Sequence, residues 1–229
     1  MRHAGICVRM AAVCGLAAIA ALPGLPAHRL CAATLPDSNI NLMKGIVVPQ
    51  GEPGFLKLSR SAKDLMRAGD WKTAAYLLGE ALGLQPGDAE TQFMLGTAFI
   101  QLNMYPEALR QLEPLLAKQS RNADLKNNIA WIYVTATDPA VRDVGKALHF
   151  AREAILEAPD APNIWNTLAA AHYAAGDYGR ALRASQIAVT LARKQGENKD
   201  TMDLWEMLRR CERAAKNPAP GAGAAAARP

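Results

Sequence analysis

The unit that decides the fold of this chain is clearest in residues 95–108, which read LGTAFIQLNMYPEA. Ala108, the last residue of this stretch, belongs to a series of small residues with spacings of 34, 39 and 34: Ala74, Ala108, Ala147 and Ala181. The glycine belongs to a second series with spacings of 34, 34 and 39: Ala62, Gly96, Ala130 and Ala169. Aromatic residues recur in the same phase at Trp71, Tyr105 and Tyr178. Three series in one phase indicate four copies of one structural unit.

The two small-residue series differ in one place, because five extra residues fall between Ala130 and Ala147. These residues lie around the sequence Thr137-Asp138-Pro139-Ala140. An Asp-Pro pair favours the start of a turn. The pattern therefore predicts a longer turn inside the third unit, and it leaves open whether the insertion at 138–143 is functional.

The unit resembles the tetratricopeptide repeat, a helix–turn–helix motif of 34 residues. In that family a Leu-Gly-like pair followed by a large residue marks the first helix, as in Leu95-Gly96 and Phe99 here. Two alanines seven residues apart mark the second helix, as in Ala74 and Ala81. The positions that depart from the family pattern are Ser61, Leu115, Ser120 and Arg193. The resemblance implies an all-α, right-handed α-solenoid of about four helix pairs with a C-terminal capping helix.

The repeats divide the chain into segments. We expect the repeat array over 55–195, with single repeats at 55–88, 89–122, 123–161 and 162–195. Residues 196–216 are predicted to form an amphipathic capping helix, since a terminal repeat needs a polar outer face. In this helix Trp205 and Leu208 are expected to point inward, and Arg209, Arg210 and Arg213 largely outward. An extended arm is expected at 34–54, and a disordered tail at 217–229, which is rich in Pro, Gly and Ala.

The N-terminal sequence is typical of a secretory signal peptide at 1–33. Two arginines precede an apolar run at 11–22, and Cys31-Ala32-Ala33 offers small residues for cleavage. The run is shorter than the roughly 20 residues that a membrane-spanning helix needs. We expect cleavage after Ala33, with Ala27 as the alternative, and no integral membrane span afterwards. The predicted location is the bacterial periplasm; an uncleaved N-terminal membrane anchor is the alternative.

The charge of the chain argues against nucleic acid as a partner. The formal net charge is +5, but three arginines and no acidic residue lie in 1–33, so cleavage leaves +2. A nucleic-acid-binding protein usually keeps a strongly basic surface. Cleavage also leaves Cys211 as the last of four cysteines, which excludes an internal disulfide. Because Leu204, Leu208 and Cys211 share one helical face, we expect the thiol to be buried.

We find no sequence pattern for catalysis or for a cofactor. His149 and His172 are isolated, with no His or Cys at the spacing of metal ligands. No glycine-rich phosphate loop and no nucleophile elbow is present. His172 occupies the position of the first-helix aromatic residue and is expected to be packed. The chain is therefore predicted to be non-enzymatic, with no metal and no cofactor.

The resemblance also implies where a partner would bind, because first helices line the concave surface in this family. The matching positions give these candidate residues: Arg60, Lys63, Arg67, Phe93, Met94, Asn127, Asn128, Trp131, Asn166 and Tyr173. Asparagine side chains can pair with both the N–H and the C=O of an extended peptide. The basic residues of the first repeat can hold a carboxylate. The alternative is that these are ordinary solvated positions, with Trp131 partly filling the groove.

The resemblance implies a protein–protein interaction scaffold or adaptor, and the predicted signal peptide indicates the cell envelope. Its partner would be a protein or peptide segment in the concave groove, and its role would be to support assembly of an envelope or secretion complex. One alternative is an accessory component of polysaccharide export or of cytochrome maturation. Another is a regulatory subunit that binds an envelope enzyme through its convex face.

Overall fold

The computed structural model describes residues 54–196 and 201–217. Within them it contains nine α-helices and no β-strand, which confirms the all-α prediction. The helices are α1 Gly54–Ala68, α2 Trp71–Leu84, α3 Ala89–Gln101, α4 Tyr105–Leu116, α5 Ala123–Thr135, α6 Val144–Glu157, α7 Pro162–Ala174, α8 Tyr178–Gln195 and α9 Met202–Lys216. The predicted signal peptide, most of the predicted arm and nearly all of the predicted tail lie outside the described residues.

The helices form a linear array of pairs. α1 packs on α2, α3 on α4, α5 on α6 and α7 on α8, and each pair packs on the next. The first helices also contact one another across repeats, α3 with α5 and α5 with α7. α9 contacts both α7 and α8, as the first helix of a fifth repeat would. The chain is thus a helical repeat array in which first helices share one surface.

Most helices begin at a side chain that caps the backbone. The N-cap residues whose side chains accept a backbone N–H three positions on are Asp70, Asp88, Asn122, Asp143 and Asp177. Such a cap typically stabilises a helix by about 0.5–2 kcal/mol. α4 and α7 instead carry a proline in the first turn, where its missing N–H costs nothing.

One backbone hydrogen bond closes the turn inside every repeat. The residue before the second helix donates its N–H to the same carbonyl position: Asp70 to Leu65, Met104 to Phe99, Asp143 to Tyr133 and Asp177 to His172, at 2.9 to 3.0 Å. In the three short turns the preceding residue, Gly69, Asn103 or Gly176, has a positive φ. The third repeat keeps the closing bond despite its five extra residues. The insertion is therefore a longer turn, as predicted, and leaves the helix pair in place.

Both series of small residues lie at helix contacts. All eight positions are buried, and the seven alanines have no exposed surface. A Cβ atom at position 96 would lie 2.5 Å from Leu112 Cδ2. His172 is only 6% exposed and Cys211 is fully buried, which confirms both burial predictions. The repeat spacing thus records buried helix contacts at which only a small side chain stands.

Candidate partner-binding surface

A cavity of about 630 Å³ lies between α5, α7 and α9. Its apolar lining consists of Trp131, Val134, Ala170, Tyr173, Ala174 and Met207. Its polar lining consists of Thr135, Arg142, Asn166, Asp203, Glu206 and Arg210. Ligand pockets are typically of this size and combine an apolar lining with a few polar groups.

Helical spacing explains why these side chains converge. Asn166, Ala170 and Tyr173 lie at i, i+4 and i+7 on α7, so they share one face. Asp203, Glu206, Met207 and Arg210 follow the same rule on α9. Because α7 packs on both α5 and α9, these two stripes meet the C-terminal half of α5 around Trp131. α9 therefore supplies one wall of the cavity as well as closing the array.

Three of the predicted groove residues, Trp131, Asn166 and Tyr173, line this one cavity. The Tyr173 ring is held from two sides. Its centroid lies 4.9 Å from the guanidinium carbon of Arg210 and 5.2 Å from the centroid of the Tyr178 ring. Thr135 Oγ1 donates a hydrogen bond to the Trp131 carbonyl at 2.6 Å, within α5. The aromatic part of the lining is thus positioned by contacts inside the protein.

Asn166 carries an unsatisfied acceptor at the cavity. Its Oδ1 atom is buried and has no hydrogen-bond partner among the residues that the structure describes. Leaving such a group unpaired costs about 1–3 kcal/mol. Asn127 Oδ1 is in the same condition but does not line the cavity.

Phe93 and Asn128 lie on the neighbouring first helices. Asn128 Nδ2 donates to Thr97 Oγ1 at 3.2 Å, which joins α5 to α3 across two repeats. Phe93 is partly buried and packs against the main core. Both side chains retain some exposed surface, but neither reaches the cavity.

Two residues that were predicted to line the groove, Met94 and Asn127, are buried in the structure. Each is only 8% exposed, so neither presents much surface to a partner. Met94 belongs to the stripe Thr91, Met94, Leu95 and Ala98, which faces the core at i, i+3, i+4 and i+7. Asn127 is covered because an inner first helix is packed by its own pair and by both neighbouring repeats. Counting along the repeat could not separate these positions from the groove.

The basic residues of the first repeat are not near the cavity lining, and two are already paired. Lys63 Nζ lies 2.6 Å from Glu90 Oε1 on α3, and Arg67 Nη1 lies 2.6 Å from Asp64 Oδ1. Arg60 is exposed on the same helix. Exposed ion pairs are worth only about 0.2–1 kcal/mol, so a partner's carboxylate can compete for these cations. The structure therefore separates a basic end in repeat one from the cavity at the other end.

Sequence reasoning missed most of the cavity lining, including every residue that the insertion and α9 contribute: Arg142, Asp203, Glu206, Met207 and Arg210. Arg142 comes from the insertion in the third repeat, which was assigned no role. The other four come from the predicted cap. Arg210, expected to point largely outward, is exposed but lies over Tyr173. The signal for these four residues is their spacing of i, i+3, i+4 and i+7, which places them on one face of α9. This face corresponds to the groove-lining face of a first helix.

In the described part of the chain, no group of three or more His, Cys, Asp or Glu side chains could hold a metal ion. None of the helices over 54–196 and 201–217 has both the length and the apolar character that crossing a membrane requires.

Comparison with known proteins agrees with the repeat assignment. The tetratricopeptide repeat family profile matches residues 65–132. No curated protein matches the sequence. Among solved structures, TTC0263, a thermophilic TPR protein of Thermus thermophilus, aligns at 19% identity and a TM-score of 0.59, over 75% of this chain and 87% of that one. MamA (41-end) from Desulfovibrio magneticus RS-1 aligns at 15% identity and a TM-score of 0.52, over 73% and 99%. At these identities the likeness shows the fold alone.

Proposed function

This chain is a tetratricopeptide repeat protein, and on that premise we propose that it is a non-enzymatic scaffold that holds a peptide segment of a partner protein in its concave groove. The repeat fold itself supports a protein–protein interaction scaffold. The observation that carries the proposal is the cavity between α5, α7 and α9. There, two partly exposed aromatic side chains, Trp131 and Tyr173, lie within one lining.

The chemistry of this lining suits a polypeptide. Trp131 and Tyr173 offer large rigid faces, and such residues commonly carry much of the binding free energy of an interface. The Asn166 side chain is partly exposed at the lining, and an amide of this kind can hydrogen-bond a peptide backbone. Asn128 and Phe93 extend the same surface toward the second repeat, and the basic end of the first repeat could receive a carboxylate of the partner. An extended segment along the first helices would contact these groups in turn.

We place this activity in the cell envelope, where the scaffold would support assembly of an envelope or secretion complex. The support is the N-terminal sequence alone, with its two arginines, apolar run and small residues before Thr34. The intact mass of the protein from the envelope fraction tests the location. We expect the mass of a chain that begins at Thr34. A full-length mass would reject cleavage and favour the membrane anchor.

Binding through the convex face of the second helices is the competing function. Three large apolar side chains are exposed on second helices: Leu84, Leu156 and Ile187. They lie on three different repeats, and single exposed apolar residues are common on monomeric proteins. The groove therefore has the stronger support.

A site-specific crosslinking experiment separates the two surfaces. An aromatic photo-crosslinking residue, which keeps a ring at the position, replaces Trp131 in one variant and Leu156, which is 83% exposed on α6, in a matched variant. Both are expressed in the source cells and illuminated. We expect a discrete protein adduct from position 131 and none from position 156. An adduct from position 156 alone would reject the groove and favour the convex-face alternative.

A further inference from the structure

We propose that the α5–α7–α9 cavity selects a segment that carries one basic and one acidic side chain two or three residues apart, flanking an apolar residue. This inference rests on the proposed peptide-binding function and names the chemistry of the segment. It follows from the charges around the cavity and from their order along α9.

The cavity is bordered by charges of both signs. Arg142, Asp203, Glu206 and Arg210 are all exposed. None of the four forms a salt bridge within residues 54–196 and 201–217. Two cations and two carboxylates at one opening favour a ligand with both signs over a ligand with one.

The cations lie at the end of the cavity where α5 and α7 finish. Arg210 sits over Tyr173, the second-last residue of α7. Arg142 directly precedes Asp143, whose N–H donates to the carbonyl of Tyr133 in the last turn of α5. The C-terminal end of a helix carries partial negative charge, which stabilises cations placed there. We define this end by Arg142 and Arg210 and call it the cationic pole.

The carboxylates lie further back along α9. Glu206 precedes Arg210 by four residues and Asp203 precedes it by seven, so they lie about 6 and 10.5 Å away along the helix axis. An extended segment advances about 3.3 Å per residue. A basic side chain at the carboxylates and an acidic side chain at the cationic pole would therefore be two or three residues apart.

The uncharged groups of the lining suit the apolar residue in the middle of such a segment. Trp131 and Tyr173, both partly exposed at the cavity, offer apolar surface for the residue between the two charges. A segment with two like charges would meet repulsion at one end of the cavity, and like-charge contacts across an interface are costly. A neutral segment would leave all four charges without an ionic partner.

The test is a set of short peptides, blocked at both ends, that share one apolar core and differ in two flanking residues. The flanking pairs are Lys and Glu in both orders, Lys and Lys, Glu and Glu, and Gln and Gln. Affinity is measured by fluorescence anisotropy with the protein purified from the source cells. We expect one order of the Lys and Glu pair to bind about tenfold more tightly than the like-charge and neutral peptides, with the gain lost at high salt.

A charge swap inside the cavity checks that these residues cause the preference. The variant carries Glu206→Arg together with Arg210→Glu, which preserves the net charge. We expect it to lose the preference between the two orders of Lys and Glu. The matched control swaps Glu107 and Arg110, an ion pair on α4 with a separation of 3.2 Å, and should leave the ranking unchanged. Circular dichroism confirms that both variants remain folded.

The outcomes separate this inference from the proposed function. Equal binding of all five peptides, lost on Trp131→Ala, would overturn the charge selection and leave the groove as a peptide site. Binding of none, or tightest binding of a like-charge peptide, would also overturn the inference. The crosslink from position 131 would then decide the proposed function on its own.

Discussion

The guanidinium carbon of Arg210 lies 4.9 Å from the centroid of the Tyr173 ring. This contact joins α9, which closes the array, to α7, the first helix of the fourth repeat. A cation–π contact at an exposed site contributes about 0.5–1 kcal/mol, so its main consequence is positional. It sets one border of the cavity and makes the closing helix part of the candidate binding surface.

Trp131→Ala should weaken partner binding by at least about 2 kcal/mol, because central aromatic residues often dominate interface free energy. Asn128→Ala should weaken it as well, since the Asn128 amide borders the same surface. Affinity for the crosslinked partner is measured by titration, with circular dichroism for folding. Leu156→Ala, on the opposite class of helices, is the control and should not change affinity. Unchanged affinity in both groove variants would exclude the concave surface.

Arg60→Glu with Lys63→Glu should weaken partner binding at low salt and have little effect at high salt. On α1, Arg60 is exposed and Lys63 is partly exposed, so ions in solution screen both charges. Reversing Lys63 also places a carboxylate beside Glu90, now its partner at 2.6 Å. The affinity is measured over a salt series, with Glu90→Gln as the control for loss of that pair. A loss of affinity that does not depend on salt would contradict an electrostatic role.

Gly96→Ala should lower the free energy of unfolding by about 1–3 kcal/mol. In an open helical site the same change would stabilise by roughly 0.5–1 kcal/mol. Here the new Cβ would lie 2.5 Å from Leu112 Cδ2 and 2.6 Å from its Cγ, and Leu112 is fully buried, so overpacking outweighs the gain. Urea unfolding measures the difference. Gly87→Ala, with nothing within 4 Å of its new Cβ, should be nearly neutral.

His172 should make the fold less stable as the pH falls. Burial lowers the pKa of His172, aided by Arg152, Arg180 and Arg183 and opposed by Asp177. As the pH falls, this histidine is protonated near pH 6.5 in the unfolded chain and only at a lower pH in the folded chain. Stability is therefore full above about pH 6.5 and falls as the pH drops toward the lowered folded pKa.

Replacing that histidine should flatten this dependence. Urea unfolding of the His172→Phe variant is compared with the wild type on both sides of the histidine pKa, at pH values where carboxylates stay charged. His149→Gln, at an exposed position on α6, is the control and should keep the wild-type slope. If the free energy of unfolding depends on pH equally in all three proteins, protonation of His172 does not contribute to stability.

Cys211 should be inert in the folded protein. The side chain is fully buried, and burial raises the pKa of its thiol, so little reactive thiolate forms. In the chain from residue 34 onward, a thiol reagent should react slowly until denaturant is added, and a reductant should not change the Tm. Rapid labelling of the folded protein, or a large fall in Tm on reduction, would contradict this.

The sequence by itself determined the repeat array, because its signals are local and periodic. The small residues mark close helix contacts, as at Gly96, and the N-cap residues start helices within three positions of themselves. The identity of His172 as a packed residue and of Cys211 as a buried thiol followed from the same periodicity. Each of these properties depends on one helix and its nearest neighbour.

Tertiary structure alone decided which surface residues meet. Met94 and Asn127 lie inside rather than in the groove because the paired helix and the neighbouring repeats pack over their helices. Arg210 reaches Tyr173 because α9 packs on α7. The preceding helix, α8, ends at Gln195 and is followed by Gly196, whose φ is 85°. Arg142 reaches the same cavity through an insertion that the repeat pattern does not specify. Contacts between segments far apart in the chain depend on how the helices pack. Residue spacing within one helix shows which residues share a face, but not what that face packs against.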